Sequence, residues 1–156
     1  MNRILKLHKK FNAYPFGQIF FSKFVARMAP YFTTINPIIE EIRSGYIEVS
    51  MKKRRRVENH IKTVHAIAMC NLCEFAGGIV TEATIPKHKR WIPIGMEVAY
   101  LKKAKTNLTA ICDIGNVDWD NIDVLPCFVS VRDTANVEVV TATISMKISD
   151  KKVKNK

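Results

Sequence analysis

Acidic residues are absent from the first 39 positions of the chain, and Glu40 is the first one. This stretch is basic and rich in aromatic side chains, which raises the question of a targeting peptide. Lysines and arginines, however, interrupt each apolar run before it reaches signal-peptide or membrane-span length: Lys6, Lys9, Lys10, Lys23 and Arg27. Many phenylalanines and few serines also argue against a transit peptide. We therefore expect a cytoplasmic protein with no membrane span.

Cysteine is scarce as well, with four in 156 residues. The four lie in apolar segments rather than in the Gly-rich and Pro-rich loops of a disulfide scaffold: Cys70, Cys73, Cys112 and Cys127. The first two form a C-x-x-C pair, but no two further ligands follow at zinc spacing, and no strand and turn precede it as in a thioredoxin motif. The sequence predicts buried free thiols, a reducing compartment and no bound metal.

Positive charge is abundant, with a formal net charge of +11 and a pI near 9.7. Such a surface attracts polyanions, whether nucleic acid, anionic lipid or a phosphorylated small molecule, and charge alone does not choose among them. The charge is clustered, and a single cluster is most often a solvated loop: Lys52–Arg56, Lys87–Arg90, Lys102–Lys105 and Lys151–Lys156. We expect residues 150–156 to form a basic, disordered tail.

The N-terminal segment has helical periodicity from Asn2 to about Met28, broken near Pro15 and Gly17. This pattern predicts two short amphipathic helices, which we expect to pack over the core; lying on a membrane is the less common alternative. A connector follows, from Ala29 to Pro37, because proline disfavours helix in the residue before it. Residues 1–36 are thus predicted to form a helical extension.

From residue 37 to 149 the pattern predicts one α+β domain. Alternating residues mark a first strand around Ile42 and Tyr46–Met51, and Val64 to about Ala83 is apolar nearly all round, as in a helix wrapped by the rest of the protein. Pro86 ends that helix. Four strand-like segments then follow: Trp91–Leu101, Leu108–Ile114, Cys127–Arg132 and Val137–Ile148. Such an order favours an antiparallel sheet curled around one central helix.

The central helix carries one carboxylate between His65 and Val80, at Glu74. A charge on a buried helix must be paired or have a shifted pKa, and such groups concentrate at active sites, although a solvent-facing helix side is an equally good explanation. Asn59 and His65 bracket the turn into the helix, whose first amides, near Ala66 and Ile67, lack partners within it and can bind a developing oxyanion. Since His65 and Glu74 point to opposite sides about 13 Å apart, two subunits are needed to bring them together.

These residues resemble a known family. Asn59, His65 and Glu74, with the downstream strand Met96–Ala104, are similar to the hotdog-fold thioesterases of the phenylacetate-degradation type. The segment Thr63–Glu74 and the motif Arg90-Trp91-Ile92-Pro93 more closely resemble an uncharacterised, thioesterase-like bacterial branch of that superfamily. The similarity covers about residues 30–148 and implies a hotdog fold for residues 37–149, with an antiparallel sheet around a long α-helix.

The resemblance also implies roles for individual residues. Glu74 takes the position of the catalytic carboxylate, the Ala66 amide that of the main oxyanion donor, and His65 and Asn59 those that shape the loop and orient the thioester. Coenzyme A is part of the substrate, and no separate cofactor is implied. Its phosphates are expected near basic side chains at a homodimer surface, with Lys102, Lys103 and Arg90 chosen from charge and position. Pairing of dimers into tetramers stays open.

The sequence differs from the better-studied thioesterases at two places, and these differences leave other functions open. The better-studied enzymes usually carry Gly-Gly after the histidine, where this chain has Ala66 and Ile67, and a glycine where this chain has Lys62. Side chains there narrow the approach of a thioester. A non-hydrolytic acyl-coenzyme A-binding protein is therefore the second hypothesis after a thioesterase. A nucleic-acid-binding module is the third; no helix-turn-helix, zinc finger or aromatic-rich strand motif accompanies the charge, so nucleic acid is not an expected partner.

Overall fold

A computed structural model describes residues 2–151 of the chain. The N-terminal segment forms α1 (Arg3–Phe11) and α2 (Gly17–Met28), followed by a 3-10 turn, Pro30–Thr34. The side chain of Asn2 caps α1 by accepting a hydrogen bond from the Ile4 amide at 2.9 Å. The chain reverses tightly between the two helices, since a Cβ on Gly17 would lie 1.8 Å from the Phe11 carbonyl oxygen.

Six strands build one antiparallel sheet: β1 (Ile38–Arg43), β2 (Tyr46–Met51), β3 (Lys89–Tyr100), β4 (Leu108–Asp113), β5 (Val124–Asp133) and β6 (Glu138–Asp150). Their order across the sheet is β1-β2-β4-β5-β6-β3. Strands β1 and β3 therefore form the two edges. The N-terminal hairpin covers the β1 edge, where Gln18 donates to the Ile39 carbonyl at 3.0 Å.

The sheet wraps around α3 (Ala66–Thr84), which packs against all six strands. Leu72 and Phe75 on this helix are fully buried. The helix comes close to the sheet at Gly77, where a Cβ would lie 3.3 Å from the Cys127 Cβ and from the Ile144 Cδ1. A buried helix inside an antiparallel sheet is the arrangement predicted from the sequence, and the predicted hotdog fold is confirmed.

Within residues 2–151, α3 alone has the length and composition of a membrane-spanning helix. Its mean hydropathy is 1.2, and 61% of this apolar stretch lies buried inside the protein. This is the apolar character expected of a core helix surrounded by strands.

Strand β6 continues to Asp150, the first residue of the predicted tail. Its carboxylate pairs with the Lys89 ammonium at 3.0 Å, and the Lys151 amide donates to the His88 carbonyl oxygen at 2.8 Å. The chain is thus ordered against the start of β3 through residue 151. The rest of the predicted tail, residues 152–156, lies outside the described residues.

All four cysteines are free thiols in the structure. Cys73, Cys112 and Cys127 are buried, whereas Cys70 is partly exposed. Burial raises the pKa of the Cys73 thiol to about 12. The Thr81 hydroxyl lies 3.3 Å from the buried sulfur of Cys127. The absence of a bound metal stays a prediction.

These environments predict selective thiol labelling. In the native protein near pH 8, an alkylating reagent should modify Cys70 first, because the thiolate is the reactive species and both burial and a raised pKa protect Cys73. Peptide mapping by mass spectrometry after timed quenching measures the order. Unfolded protein, in which all four sites should react at similar rates, is the control. Labelling of Cys73 as fast as Cys70 in native protein would contradict this part of the structure.

Candidate active site

The loop that leads into α3 is closed by Asn59. Its Oδ1 accepts hydrogen bonds from the amides of Ile61 and Thr63, both at 3.1 Å, and its Nδ2 donates to the Thr63 hydroxyl at 2.8 Å. A β-bridge between Glu58 and Val64 closes the loop at its base. All these contacts lie within the loop. Asn59 thus fixes the path of the chain into the helix.

His65 is the N-cap of α3. Its Nδ1 accepts a hydrogen bond from the Ile67 amide at 3.1 Å, so this nitrogen is unprotonated in that arrangement. Among the residues that the structure describes, the amides of Ala66 and Ala68 have no hydrogen-bond partner. The free donors expected at the helix start are therefore present at Ala66, whereas His65 occupies the Ile67 amide. Unpaired amides and the helix dipole make this terminus a favourable position for negative charge.

Glu74 is half-buried on α3. No hydrogen bond or ion pair joins its carboxylate to any residue between 2 and 151. It lies on the helix side that faces β3. The residues one helical turn before and after Glu74 both contact β3. The Cys70 sulfur is 3.0 Å from the hydroxyl of Tyr100, and a Cβ on Gly78 would lie 3.1 Å from the ring of Trp91. An unpaired, half-buried carboxylate that faces a sheet edge is a candidate functional group.

Ala66 and Glu74 do not meet within one chain. They are eight residues apart, which is about 12 Å along a helix axis. The Ala66 amide also points beyond the N-terminus, away from Glu74. A carbonyl group held by that amide is thus out of reach of the carboxylate of the same chain.

Strand β3, beside Glu74, is a free edge. It is 12 residues long and exposed along most of its length, with apolar side chains such as Ile92, Ile94 and Met96 reaching solvent. Long, apolar edges are rarely left open, because their unpaired backbone groups recruit another strand. The site therefore borders a surface suited to pairing with a second chain.

The three basic residues predicted to bind phosphate are all exposed, but one chain does not bring them together. Arg90 lies near the start of β3, where its Nε donates to the Ser149 hydroxyl at 3.0 Å, and Lys102 and Lys103 follow the end of the strand. The two ends of a 12-residue strand are about 36 Å apart.

Two polar residues near the site were not predicted. Asn71 is 5% exposed; its Nδ2 donates to the Thr34 hydroxyl at 3.0 Å, and its buried Oδ1 has no partner among the described residues. It lines a cavity of about 200 Å³ beside His65 and Ala68, with Arg56 at the wall. The only available signal was an asparagine within an apolar helix. Tyr100 is the second, and its hydrogen bond with Cys70 raises the pKa of its hydroxyl to about 12.

Lys62 adopts a left-handed backbone conformation, with φ of +60°. Replacing this residue by glycine, Lys62→Gly, should stabilise the protein by roughly 0.5–1 kcal/mol. The expected gain is the left-handed strain of about 1–2 kcal/mol minus the backbone entropy cost of glycine, about 0.5–1 kcal/mol. Urea unfolding midpoints measure the effect. Lys62→Ala retains the strain and is the control; a lower midpoint for the glycine variant would contradict the assigned conformation.

Comparison with protein families gives one match, over residues 17–148, to a family described as Domain of unknown function (DUF4442). The chain belongs to this family. A comparison with curated proteins gives no match. The predicted resemblance to an uncharacterised branch is thereby confirmed.

Solved structures identify the fold of this family member. The crystal structure of genomics APC5556 is 40% identical and covers 95% of this chain and 99% of its own, with a TM-score of 0.83. A Pseudomonas aeruginosa protein named "Probable Thioesterase" is 15% identical, and the alignment covers 88% of this chain and 97% of that protein, with a TM-score of 0.73. A Haemophilus influenzae thioesterase is 12% identical, and the alignment covers 81% of this chain and 87% of that enzyme, with a TM-score of 0.71. The last two establish a shared fold, and function rests on the site itself.

Proposed function

We propose that this DUF4442 protein is a cytoplasmic homodimer that hydrolyses the thioester of an acyl-coenzyme A. The observation that carries the proposal is Glu74: a half-buried carboxylate without a partner in residues 2–151, on the helix side that faces a free sheet edge. The named thioesterases with the same fold support the reaction class.

In the proposed dimer, the two β3 strands pair antiparallel, and the sheets of the two subunits become continuous. Pairing places each α3 beside the other, so that Glu74 of one subunit faces the Ala66 amide of its partner. If the pairing centres near Met96, Arg90 of one subunit lies beside Lys102 and Lys103 of the other. The three basic residues, separated within one chain, then form one positive surface for the phosphates of coenzyme A.

The proposed chemistry uses the two groups together. The thioester carbonyl oxygen accepts a hydrogen bond from the Ala66 amide, which stabilises the negative charge that develops there. Glu74 takes a proton from a water molecule, whose oxygen attacks the carbonyl carbon; direct attack by the carboxylate is the covalent alternative. The carbon–sulfur bond breaks, and the leaving thiolate of coenzyme A recovers the proton. We propose that the acyl group enters the cavity beside Asn71.

A second candidate is binding of acyl-coenzyme A without hydrolysis. The observation that favours it is Ile67, whose exposed side chain stands at the helix start where related enzymes carry glycine. It narrows the approach to the Ala66 amide. The two candidates share a pocket and differ in turnover.

A panel of acyl-coenzyme A esters, from short to long and aromatic, tests the proposal. Chromatographic detection of free acid and coenzyme A avoids interference from the protein's own thiols. The proposal expects hydrolysis of at least one class by the wild type and its loss in Glu74→Gln. If the protein binds an unreactive thioether analogue tightly but hydrolyses none of the esters, the thioesterase proposal is wrong and the second candidate, binding without hydrolysis, is correct. Equal hydrolysis by both proteins would overturn the role of Glu74.

A further inference from the structure

The outer side of α2 exposes large apolar residues to solvent. Phe20 is 58% and Met28 68% exposed, and Ile19 and Phe24 on the same helix are exposed as well. The buried residues opposite Phe20 on α2 are Ser22 and Val25, whereas Phe21 is buried next to the side that carries Phe24 and Met28. A surface helix normally has one apolar face. On α2 the apolar side extends beyond the buried residues: Phe24 packs against the Phe11 ring, with ring centroids 6.1 Å apart, and Phe20 and Met28 reach solvent.

Basic residues surround this outer face. Lys23 and Arg27 lie on the same side of α2, since positions 20, 23, 24, 27 and 28 fall within half of a helical wheel. From residue 2 to 39 the chain has six lysines and arginines and no acidic residue: Arg3, Lys6, Lys9, Lys10, Lys23 and Arg27. None of the six forms an ion pair within residues 2–151.

A cavity of about 400 Å³ between α1 and α2 continues this surface. Its apolar wall includes Phe24 and Met28, which also belong to the outer face of α2. Three basic side chains from α1, Arg3, Lys6 and Lys10, line this cavity, together with one carboxylate, Glu82 of α3. Apolar and cationic groups thus alternate over both helices, a composition suited to a partner that is anionic at its surface and apolar beneath.

We propose that the α1–α2 hairpin docks on an anionic lipid bilayer, with the outer face of α2 in the interfacial region and the lysines and arginines against the headgroups. A second copy of this chain fits less well, because it would bring two sets of unpaired cations together. Nucleic acid satisfies the charge but offers no apolar phase for Phe20 and Met28. The proposal is independent of the thioesterase proposal.

Vesicle sedimentation with the full-length protein tests this docking surface. The vesicles are phosphatidylcholine alone, or phosphatidylcholine with about 30% phosphatidylglycerol. Phe20→Gln/Met28→Gln removes apolar contact, and Phe128→Gln, at a 55% exposed phenylalanine on β5, is the matched control. Lys23→Gln/Arg27→Gln removes charge, and Lys52→Gln/Lys87→Gln, at two exposed lysines elsewhere, is its control. Circular dichroism verifies that each variant is folded.

Wild type should bind the anionic vesicles and bind phosphatidylcholine at least tenfold more weakly. Each hairpin variant should lose about tenfold or more in affinity for anionic vesicles, whereas each control should lose about twofold or less. If the Phe20→Gln/Met28→Gln variant binds like the wild type, the attachment is purely electrostatic and the proposal is wrong. If the hairpin variants instead change the oligomeric state and neither the wild type nor any variant binds vesicles, the surface belongs to a second copy, which also overturns it.

Discussion

Replacing Glu74 by glutamine should reduce acyl-coenzyme A hydrolysis by a factor on the order of 100 or more, equivalent to about 2.7 kcal/mol of transition-state stabilisation. Glutamine preserves the shape of the side chain but cannot accept the proton or act as a nucleophile. The substitution breaks no ion pair within the described chain, so the fold should persist. The loss should appear mainly in kcat, with a smaller change in KM.

Steady-state kinetics on the preferred ester measure this effect. Glu82→Gln is the matched control, since Glu82 is on the same helix and accepts a hydrogen bond from the Trp91 indole at 2.9 Å, which a glutamine oxygen can also accept. The control should retain wild-type activity. A Glu74→Gln protein within about threefold of wild type would show that this carboxylate is not catalytic.

Replacing Ala66 by proline should lower activity by a factor of about 100–1,000, the usual cost of losing an oxyanion donor. Proline has no amide hydrogen but is well tolerated at the first position of a helix, which Ala66 occupies. The residue before a proline favours extended backbone, and His65 already has φ of −65° and ψ of 138°. The substitution therefore removes the donor while preserving the start of the helix.

Ala66→Gly is the control for that experiment, because it retains the amide hydrogen and widens the approach. Its activity should equal or exceed that of the wild type. Thermal unfolding should show a change of only a few degrees in either variant. A fully active, folded Ala66→Pro protein would contradict the assignment of this amide as the main oxyanion donor.

The sequence predicted the fold where a single periodicity held along a segment. The all-round apolar α3 and the strands β3 to β6 were recognised in this way, and their observed limits differ from prediction by three residues or fewer. The single first strand predicted over Ile42 and Tyr46–Met51 is wrong, because the structure has two antiparallel strands there, β1 and β2. A bulge between Ile39 and Glu41 interrupts the alternation, and the buried positions along the strand lose their period of two.

Residues of the candidate site could be predicted where the signal came from positions close together in the sequence. Glu74 was noticeable as a carboxylate in an apolar helix, and the helix start followed from the turn at Asn59. The partners of Asn71 and Cys70 were not predictable, since Thr34 and Tyr100 lie 37 and 30 residues away and are joined only by the fold. Alternation in β3 likewise did not reveal that the strand is an open edge.

Mixing two inactive proteins tests the shared site most directly. Glu74→Gln and Ala66→Pro subunits, carrying different affinity tags, are co-expressed, and heterodimers are isolated through both tags. If Glu74 of one subunit acts with the Ala66 amide of the other, each heterodimer contains one intact site and should recover about half of the wild-type activity per dimer. If each site lies within one subunit, both sites are damaged. Isolated heterodimers with no activity above that of the parent variants would contradict the shared site.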